Sequence, residues 1–144
     1  MAKESSGGFS ADEKAAMKQR AAELRAEEKR GKDRAAGLAA VEEAIAALPA
    51  DDKDLAERLH ALVTEVAPDL DPKTWYGFPA YARTGKVVVF FKPASKFKSR
   101  YASVGFEEAA NLDDGPLWVT SYAIVGWDDA VEKTLRDQVA RAAS

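Results

Sequence analysis

The residues whose chemistry is easiest to interpret lie in the middle of the chain, where cations and aromatic rings are close together. Residues 72–106 include several Lys and Arg but no Asp or Glu, although the whole chain has a formal net charge of −3. Ammonium and guanidinium groups bind anions, and aromatic rings add stacking and cation–π contacts. The pattern therefore favours an anionic partner, small or large, and a site for a small anionic ligand is one hypothesis. The candidate ligand-binding residues are Trp75, Tyr76, Tyr81, Lys92, Lys96, Lys98, Arg100 and Trp118.

Three of these cations follow the two-residue period of a β-strand. In a strand, Lys96, Lys98 and Arg100 lie on one face, with the intervening residues on the other. Neighbouring cations repel one another unless water or an anion offsets their charge. Two interpretations stay open: an anion-binding face, or an exposed face or edge whose charge keeps the sheet soluble.

The aromatic residues of this segment fall into two groups. Phe78, Phe91 and Tyr101 are predicted to belong to the core. Trp75 and Tyr76 come just before a glycine and a proline, on a segment that is typical of loops. Aromatic residues in such a position are often half exposed, so both are candidates for the rim of a binding pocket.

A second group of candidate residues is acidic. Asp54, Glu57 and Glu65 share one stripe of a predicted helix, and Asp51 lies at its start. Carboxylate oxygens bind hard cations, so these residues are candidate metal ligands. Arg58 lies in the same stripe and opposes a dense cation site. The alternative interpretation is a solvated helix face.

Known catalytic motifs are absent from the sequence. It has one histidine, His60, and no H-E-x-x-H, P-loop, G-x-G-x-x-G or G-x-S-x-G motif. Because there is no second His and no Cys to complete a metal pair, we interpret His60 as a surface residue without a task. Lysine chemistry stays open, since burial alone can tune a lysine. The sequence favours a non-enzymatic binding protein that requires no cofactor.

Composition indicates the compartment and the class of partner. The chain has no cysteine, so it forms no disulfide and no zinc–thiolate site, which fits a reducing cytoplasm. Its first residues lack the apolar segment of a secretory signal, and no window approaches the roughly 18 apolar residues of a membrane span. We therefore predict a cytoplasmic protein without membrane contact. An acidic net charge makes nucleic acid an unlikely partner for the basic segment.

The N-terminal part is predicted to be a charged helix outside the main domain. Residues 1–8 are small and polar, which is typical of disorder. Ser10 and Glu13 have the spacing of a capping box, so a helix is expected to begin near Ala11 and to end near Gly31. It has few large apolar residues, which predicts a flexible or solvated segment, residues 1–34. This segment is either an appendage or a helix that binds a protein partner.

The main domain, residues 35–144, is predicted to begin with two more helices. Residues 37–48 place apolar side chains on one face, and Pro49 ends that helix. Asp51 is the predicted N-cap of the next helix, residues 52–66, whose leucines and valines repeat every 3.6 residues.

The strands are predicted to follow, with a last helix after them. The predicted strands span residues 80–83, 86–92, 96–106 and 116–126. Gly85 lies in the turn of a hairpin between the first two, and the apolar run of the second is typical of a central strand. An acidic pair precedes the closing helix at residues 130–143. Helices, an antiparallel sheet and a last helix predict an α+β fold.

Residues 73–124 resemble the YdhG-like family, a bacterial group of small domains of unknown function. The resemblance is carried by W-x-G-x-P-A-Y at residues 75–81, by the GKVVVFF strand, and by L-D-D-G-x-L-W-x-T-S-Y at residues 112–122. It extends from about residue 38 to the last residue, and it implies N-terminal helices, a curved antiparallel sheet of about four to five strands and a C-terminal helix. Some relatives are described as frataxin-like iron chaperones. The resemblance therefore implies iron as a cargo, with carboxylates such as those of Asp51, Asp54, Glu57 and Glu65 as its ligands.

Overall fold

The computed structural model describes residues 10–144, so the prediction of disorder for residues 1–8 lies outside them. The chain forms two units, Met1–Ala35 and Ala36–Ser144. The elements are α1 (Ala11–Ala46), α2 (Ala50–Val66), β1 (Asp71–Trp75), β2 (Phe78–Arg83), β3 (Lys86–Lys92), α3 (Ala94–Phe97), β4 (Ala102–Phe106), β5 (Ser121–Ile124) and α4 (Asp129–Ala143). This order confirms the predicted α+β class. Among the described helices, none has the length and apolar character needed to cross a membrane.

Helix α1 begins at the predicted capping box. The amide of Glu13 donates to the Ser10 hydroxyl oxygen at 3.1 Å, and the amide of Ser10 donates to the Glu13 carboxylate at 3.4 Å. The helix then continues through Gly31 to Ala46, so the predicted end at Gly31 and the separate helix at residues 37–48 are wrong. A glycine inside a helix costs only about 1 kcal/mol relative to alanine, and the surrounding good helix formers offset that cost.

Helix α2 has the predicted apolar face but a different start. Pro49 occupies the N-cap position, and no side chain in residues 10–144 caps the helix. The prediction of Asp51 as the N-cap is therefore wrong. Asp51 lies in the first turn, where its negative charge interacts favourably with the helix dipole. The periodic residues are buried as predicted: Leu55, Leu59, Leu62 and Val63.

The five strands form an antiparallel meander in the order β1-β2-β3-β4-β5, which confirms β3 as the central strand. Two-residue turns join the first three strands, Tyr76 with Gly77 and Thr84 with Gly85. All four turn residues have positive φ, as a type I′ turn requires. Strand β1 does not follow from the sequence, because Pro72 and the adjacent aromatic run are typical of a loop.

The strand predicted at residues 96–106 is wrong in its first half. Ala94–Phe97 forms one helical turn, Lys98 follows with a φ of 52°, and β4 begins only at Ala102. The three cations at 96, 98 and 100 therefore do not lie along one strand face.

The cause of this turn lies on helix α2. The buried carboxylate of Asp52 accepts hydrogen bonds from the amides of Ala94, at 3.2 Å, and Ser95, at 3.0 Å. These bonds satisfy the first amides of α3 and so stabilise a helical turn. The other long predicted strand, residues 116–126, is likewise shorter and spans Ser121–Ile124.

Helices α2 and α4 pack on one face of the sheet and form the core with it. Asp128 is the N-cap of helix α4, and its carboxylate accepts a hydrogen bond from the amide of Val131 at 2.9 Å. The predicted core residues Phe78 and Phe91 are buried, whereas Tyr101 is 38% exposed, so its assignment to the core is wrong.

Candidate functional site

The face of the sheet opposite the helices is the outer face. Val89 lies in the core, so its strand neighbour Phe90 points to the opposite side. Phe90 pairs with Ala80 on β2 and with Gly105 on β4. Gly105 is required here, because a Cβ at this position would lie 2.2 Å from the Phe90 ring. The ring of Phe90 therefore lies across the outer face instead of standing away from it.

Aromatic side chains continue this surface toward the β1–β2 turn. The ring of Trp75 has its centroid 5.2 Å from that of Phe90, 5.7 Å from that of Phe78 and 5.0 Å from that of Tyr76. Phe97, on the turn that Asp52 caps, lies 5.8 Å from Phe78. The tilted and edge-on arrangements are those that aromatic rings prefer. Residues distant in sequence thus form one continuous aromatic cluster.

Two lysines border the cluster. The Lys92 Nζ lies 4.9 Å from the centroid of the Phe97 ring, a cation–π distance. The ammonium of Lys96 lies over Gly77, where a Cβ would come within 2.0 Å of its Nζ. Neither lysine forms an ion pair with a residue of the described chain. We call this set the aromatic–basic face: Trp75, Tyr76, Phe78, Phe90, Lys92, Lys96 and Phe97.

Tyr76 is the most exposed aromatic residue of the face. It is 75% exposed and has a φ of 51° at the first central position of the β1–β2 turn. Asn, Asp or Gly is preferred there, and a left-handed conformation costs other residues roughly 1 kcal/mol or more. Most of the ring lies in solvent, so burial does not offset this cost. The turn therefore presents an aromatic ring to solvent at the expense of backbone strain.

A polar cleft adjoins the indole of Trp75. It has a volume of about 470 Å³, and its lining includes Lys73, Trp75, Lys86, Glu107 and Glu108. Lys73 and Lys86 are absent from the predicted site. Lys73 lies two residues before Trp75, and a two-residue spacing places both on one face once β1 is known to be a strand.

The structure brings four of the predicted ligand-binding residues together in the aromatic–basic face: Trp75, Tyr76, Lys92 and Lys96. Sequence reasoning missed Phe90 and Phe97 as members of the same surface. Phe90 was hidden within a run that is apolar throughout, and Phe97 depends on the helical turn of α3.

The other four predicted ligand-binding residues lie elsewhere. Tyr81 is buried on the core side of the sheet. Trp118 lines a different cleft, which also contains Asp113. Lys98 and Arg100 are exposed after α3, and the Arg100 guanidinium lies 5.2 Å from the ring of Tyr101.

His60 has a partner, so its interpretation as a surface residue without a task is wrong. Its Nδ1 lies 2.8 Å from the hydroxyl oxygen of Tyr81. Partial burial lowers the pKa of His60, and the charge of Glu42 opposes this only in part. Burial also raises the pKa of the Tyr81 hydroxyl, which therefore stays protonated. The pair ties α2 to the core side of β2.

Two of the acidic residues of α2 are bound by arginine side chains, which disfavours a cation site there. The carboxylate of Asp54 accepts a hydrogen bond from Arg58 at 3.0 Å, and that of Glu65 accepts one from Arg136 at 2.8 Å. The Arg136 guanidinium lowers the pKa of the Glu65 carboxyl. Within residues 10–144, no group of three or more His, Cys, Asp or Glu side chains is arranged to hold a metal ion. The predicted set of Asp51, Asp54, Glu57 and Glu65 is therefore not such a group.

Comparisons of the chain with protein-family models, with curated proteins and with solved structures found no match. The resemblance to the YdhG-like family stays a prediction.

Proposed function

We propose that the chain is a non-enzymatic binding protein whose aromatic–basic face takes a small anionic ligand with a flat ring, such as a nucleoside phosphate. The observation that carries this proposal is Tyr76, a largely exposed ring held in a left-handed backbone conformation next to Lys96. Within residues 10–144, Lys92 and Lys96 form no ion pair. Strained residues persist where the surrounding structure holds them, and they cluster at ligand-binding sites.

The parts of such a ligand match the chemistry of the face. A flat ring can stack on the exposed ring of Tyr76, which lies 5.0 Å from that of Trp75. An anionic group can reach Lys96, over the adjacent Gly77, or Lys92, beside Phe97. Stacking of one ring contributes about 1–3 kcal/mol, and an exposed cation contact about 0.5–1 kcal/mol. We therefore expect weak binding, with a dissociation constant of about a millimolar or above.

The test is a thermal-shift and tryptophan-fluorescence titration with three probes. Adenosine monophosphate carries a ring and an anion, adenosine carries the ring alone, and inorganic phosphate carries the anion alone. We expect the monophosphate to bind most tightly, because only this probe uses both halves of the face.

Matched variants separate the aromatic–basic face from the rest of the surface. Tyr76→Asn should abolish the contribution of the ring, and Lys96→Ala should weaken binding of the monophosphate but not of adenosine. Thr84→Asn changes the equivalent position of the other hairpin, and Lys98→Ala removes a cation outside the face; both should bind as wild type does. The proposal fails if none of the probes saturates, or if Tyr76→Asn and Lys96→Ala bind as the wild type does.

Iron handling is a second proposal, and it is supported by the resemblance to the YdhG-like family. It assigns iron as a cargo to Asp51, Asp54, Glu57 and Glu65. For Asp54 and Glu65 this requires iron to displace an arginine from each carboxylate. Anaerobic calorimetry with Fe²⁺ tests it, and heat that does not saturate would remove it.

Two further expectations belong with these proposals. The absence of cysteine supports a cytoplasmic location. A third proposal for function is a protein partner bound through the charged segment 1–34. Native mass measurement of the chain with and without that segment tests it.

A further inference from the structure

The sheet has an edge at β5 whose backbone groups are open for pairing. The amide of Phe106 donates to the Thr120 carbonyl at 2.8 Å, so the pairs that share this register, Val104 with Tyr122 and Ala102 with Ile124, are the hydrogen-bonded ones. The backbone N–H and C=O groups of the residues between them, Ser121 and Ala123, consequently point away from β4. Neither residue has a backbone partner on that side within the described chain.

Strand β5 is short, but it lacks charged side chains and proline, two of the usual protections against pairing. Natural sheets protect an edge strand with charged side chains, proline or a bulge. Strand β1, at the opposite edge, contains Asp71, Pro72 and Lys73. Strand β5 has the sequence Ser-Tyr-Ala-Ile, and no residue from 115 to 127 is charged.

Apolar surface continues on either side of the edge. A groove of about 610 Å³ lies between β5 and α4, and apolar side chains such as Ile124, Val131 and Leu135 contribute to its lining. Leu117 is 84% exposed and Val125 is 81% exposed. A strand added to β5 would cover part of this surface, and its side chains on the helical side would lie at the mouth of the groove.

We propose that β5 pairs with β5 of a second copy of this chain, giving a two-fold dimer with one continuous sheet. The open backbone edge requires an extended strand as its occupant. An uncharged edge gives no preference for a charged peptide and opposes no identical copy, although each copy has a net charge of −3. Strand β5 is itself an uncharged strand of matching length, with Tyr122 and Ile124 on the side of the groove.

Two-fold symmetry fixes the pairing. Antiparallel strands related by a two-fold axis form a self-complementary interface, in which each contact occurs twice. With Ser121 opposite Ala123 of the second copy, the outward N–H and C=O groups of both residues meet their counterparts. The aromatic–basic face lies on the other side of β1–β3, so the proposal does not depend on the proposed function.

The experiment measures the mass of the full chain by sedimentation velocity over a concentration series from low micromolar to near millimolar. We expect a reversible monomer–dimer equilibrium. Ala123→Pro removes an outward amide but no hydrogen bond to β4, so it should weaken the dimer about tenfold or more. Ala123→Lys introduces a charge on the same edge of each copy and should have the same effect.

Thr74→Pro is the matched control at the other edge. Thr74 pairs with Pro79, which has no N–H and so cannot form a hydrogen-bonded pair. The pair is therefore a non-hydrogen-bonded one, and the Thr74 amide also points away from β2. This variant should dimerise as the wild type does. Circular dichroism and thermal unfolding establish that each variant is folded. A wild type that stays monomeric throughout the series, or an equilibrium that both Ala123 variants leave unchanged, overturns the proposal, as does weakening by Thr74→Pro alone.

Discussion

The carboxylate of Asp52, on helix α2, accepts hydrogen bonds from both the amide and the hydroxyl of Ser95, 43 positions later in the chain. Ser95 belongs to α3, the turn that carries Lys96 and Phe97. The same acidic helix that suggests a cation site thus positions part of the aromatic–basic face. Asp52 itself is buried, so its role is to hold α3 in place, not to contact a ligand.

Removal of this carboxylate should destabilise the protein and disturb the face. Asp52→Ala leaves the amides of Ala94 and Ser95 without their acceptor, and we expect a loss of about 2–3 kcal/mol in the free energy of unfolding. Urea denaturation measures it. Asp51→Ala is the matched control, because Asp51 is exposed and should change stability by no more than about 0.5 kcal/mol. Equal effects of the two substitutions would contradict the role assigned to Asp52.

The two type I′ turns predict an opposition between stability and binding. Thr84→Asn relieves a β-branched residue of a left-handed conformation and should stabilise the protein by about 0.5–1 kcal/mol. Tyr76→Asn relieves the same strain but loses the ring contact with Trp75, so its gain should be smaller. Thermal and urea unfolding of both variants measure these changes. A clear destabilisation by Tyr76→Asn would show that the ring is retained for packing and not for a ligand.

The elements that the sequence predicts correctly are those specified by nearby residues. The leucine period of α2, the capping box at Ser10 and the Thr84–Gly85 turn each depend on residues within a few positions. Strand β1 and α3 depend on distant partners. Strand β1 needs β2 to pair with it, and α3 needs the Asp52 cap, which outweighs the alternating pattern of residues 96–101.

The candidate site divides in the same way. Residue type is sufficient to select Trp75, Tyr76, Lys92 and Lys96 as members of a possible site. It cannot separate them from Tyr81, because the face to which a strand residue points depends on the register of the sheet. The partnership of His60 with Tyr81 joins positions 21 apart and leaves no signal in either neighbourhood.

The free energy of unfolding should decrease as the pH is lowered, because of His60. Burial lowers its pKa in the folded protein below the ordinary value of about 6.5 that the unfolded chain retains. The unfolded state therefore binds more protons as the pH falls, and the contribution of neutral His60 to stability is lost below about pH 6.5. The loss amounts to about 1.4 kcal/mol for each unit by which the two pKa values differ.

His60→Gln isolates this effect from the titration of carboxylates. Urea denaturation of wild type and variant at several pH values between 5 and 8 gives the difference in unfolding free energy. We expect the wild type to lose stability more steeply than the variant below about pH 6.5. Parallel curves would show that His60 has the same pKa in both states.

Tyr81→Phe, which removes the hydroxyl partner of His60, should lower the free energy of unfolding by about 1 kcal/mol at neutral pH.

Two glycines of helix α1 should respond in opposite ways to alanine. Gly37 lies against β1, where a Cβ would come 2.1 Å from the carbonyl oxygen of Pro72, whereas a Cβ at Gly31 has no atom within 4 Å. Gly37→Ala must move backbone and should cost about 2 kcal/mol or more in unfolding free energy. Gly31→Ala should raise helix content and cost nothing, since alanine is favoured in a helix by about 1 kcal/mol. Circular dichroism with urea denaturation measures both. We attribute the presence of a glycine at this position of a continuous helix to the close approach of the α1 backbone to β1. A Gly37→Ala variant as stable as the wild type would contradict this explanation.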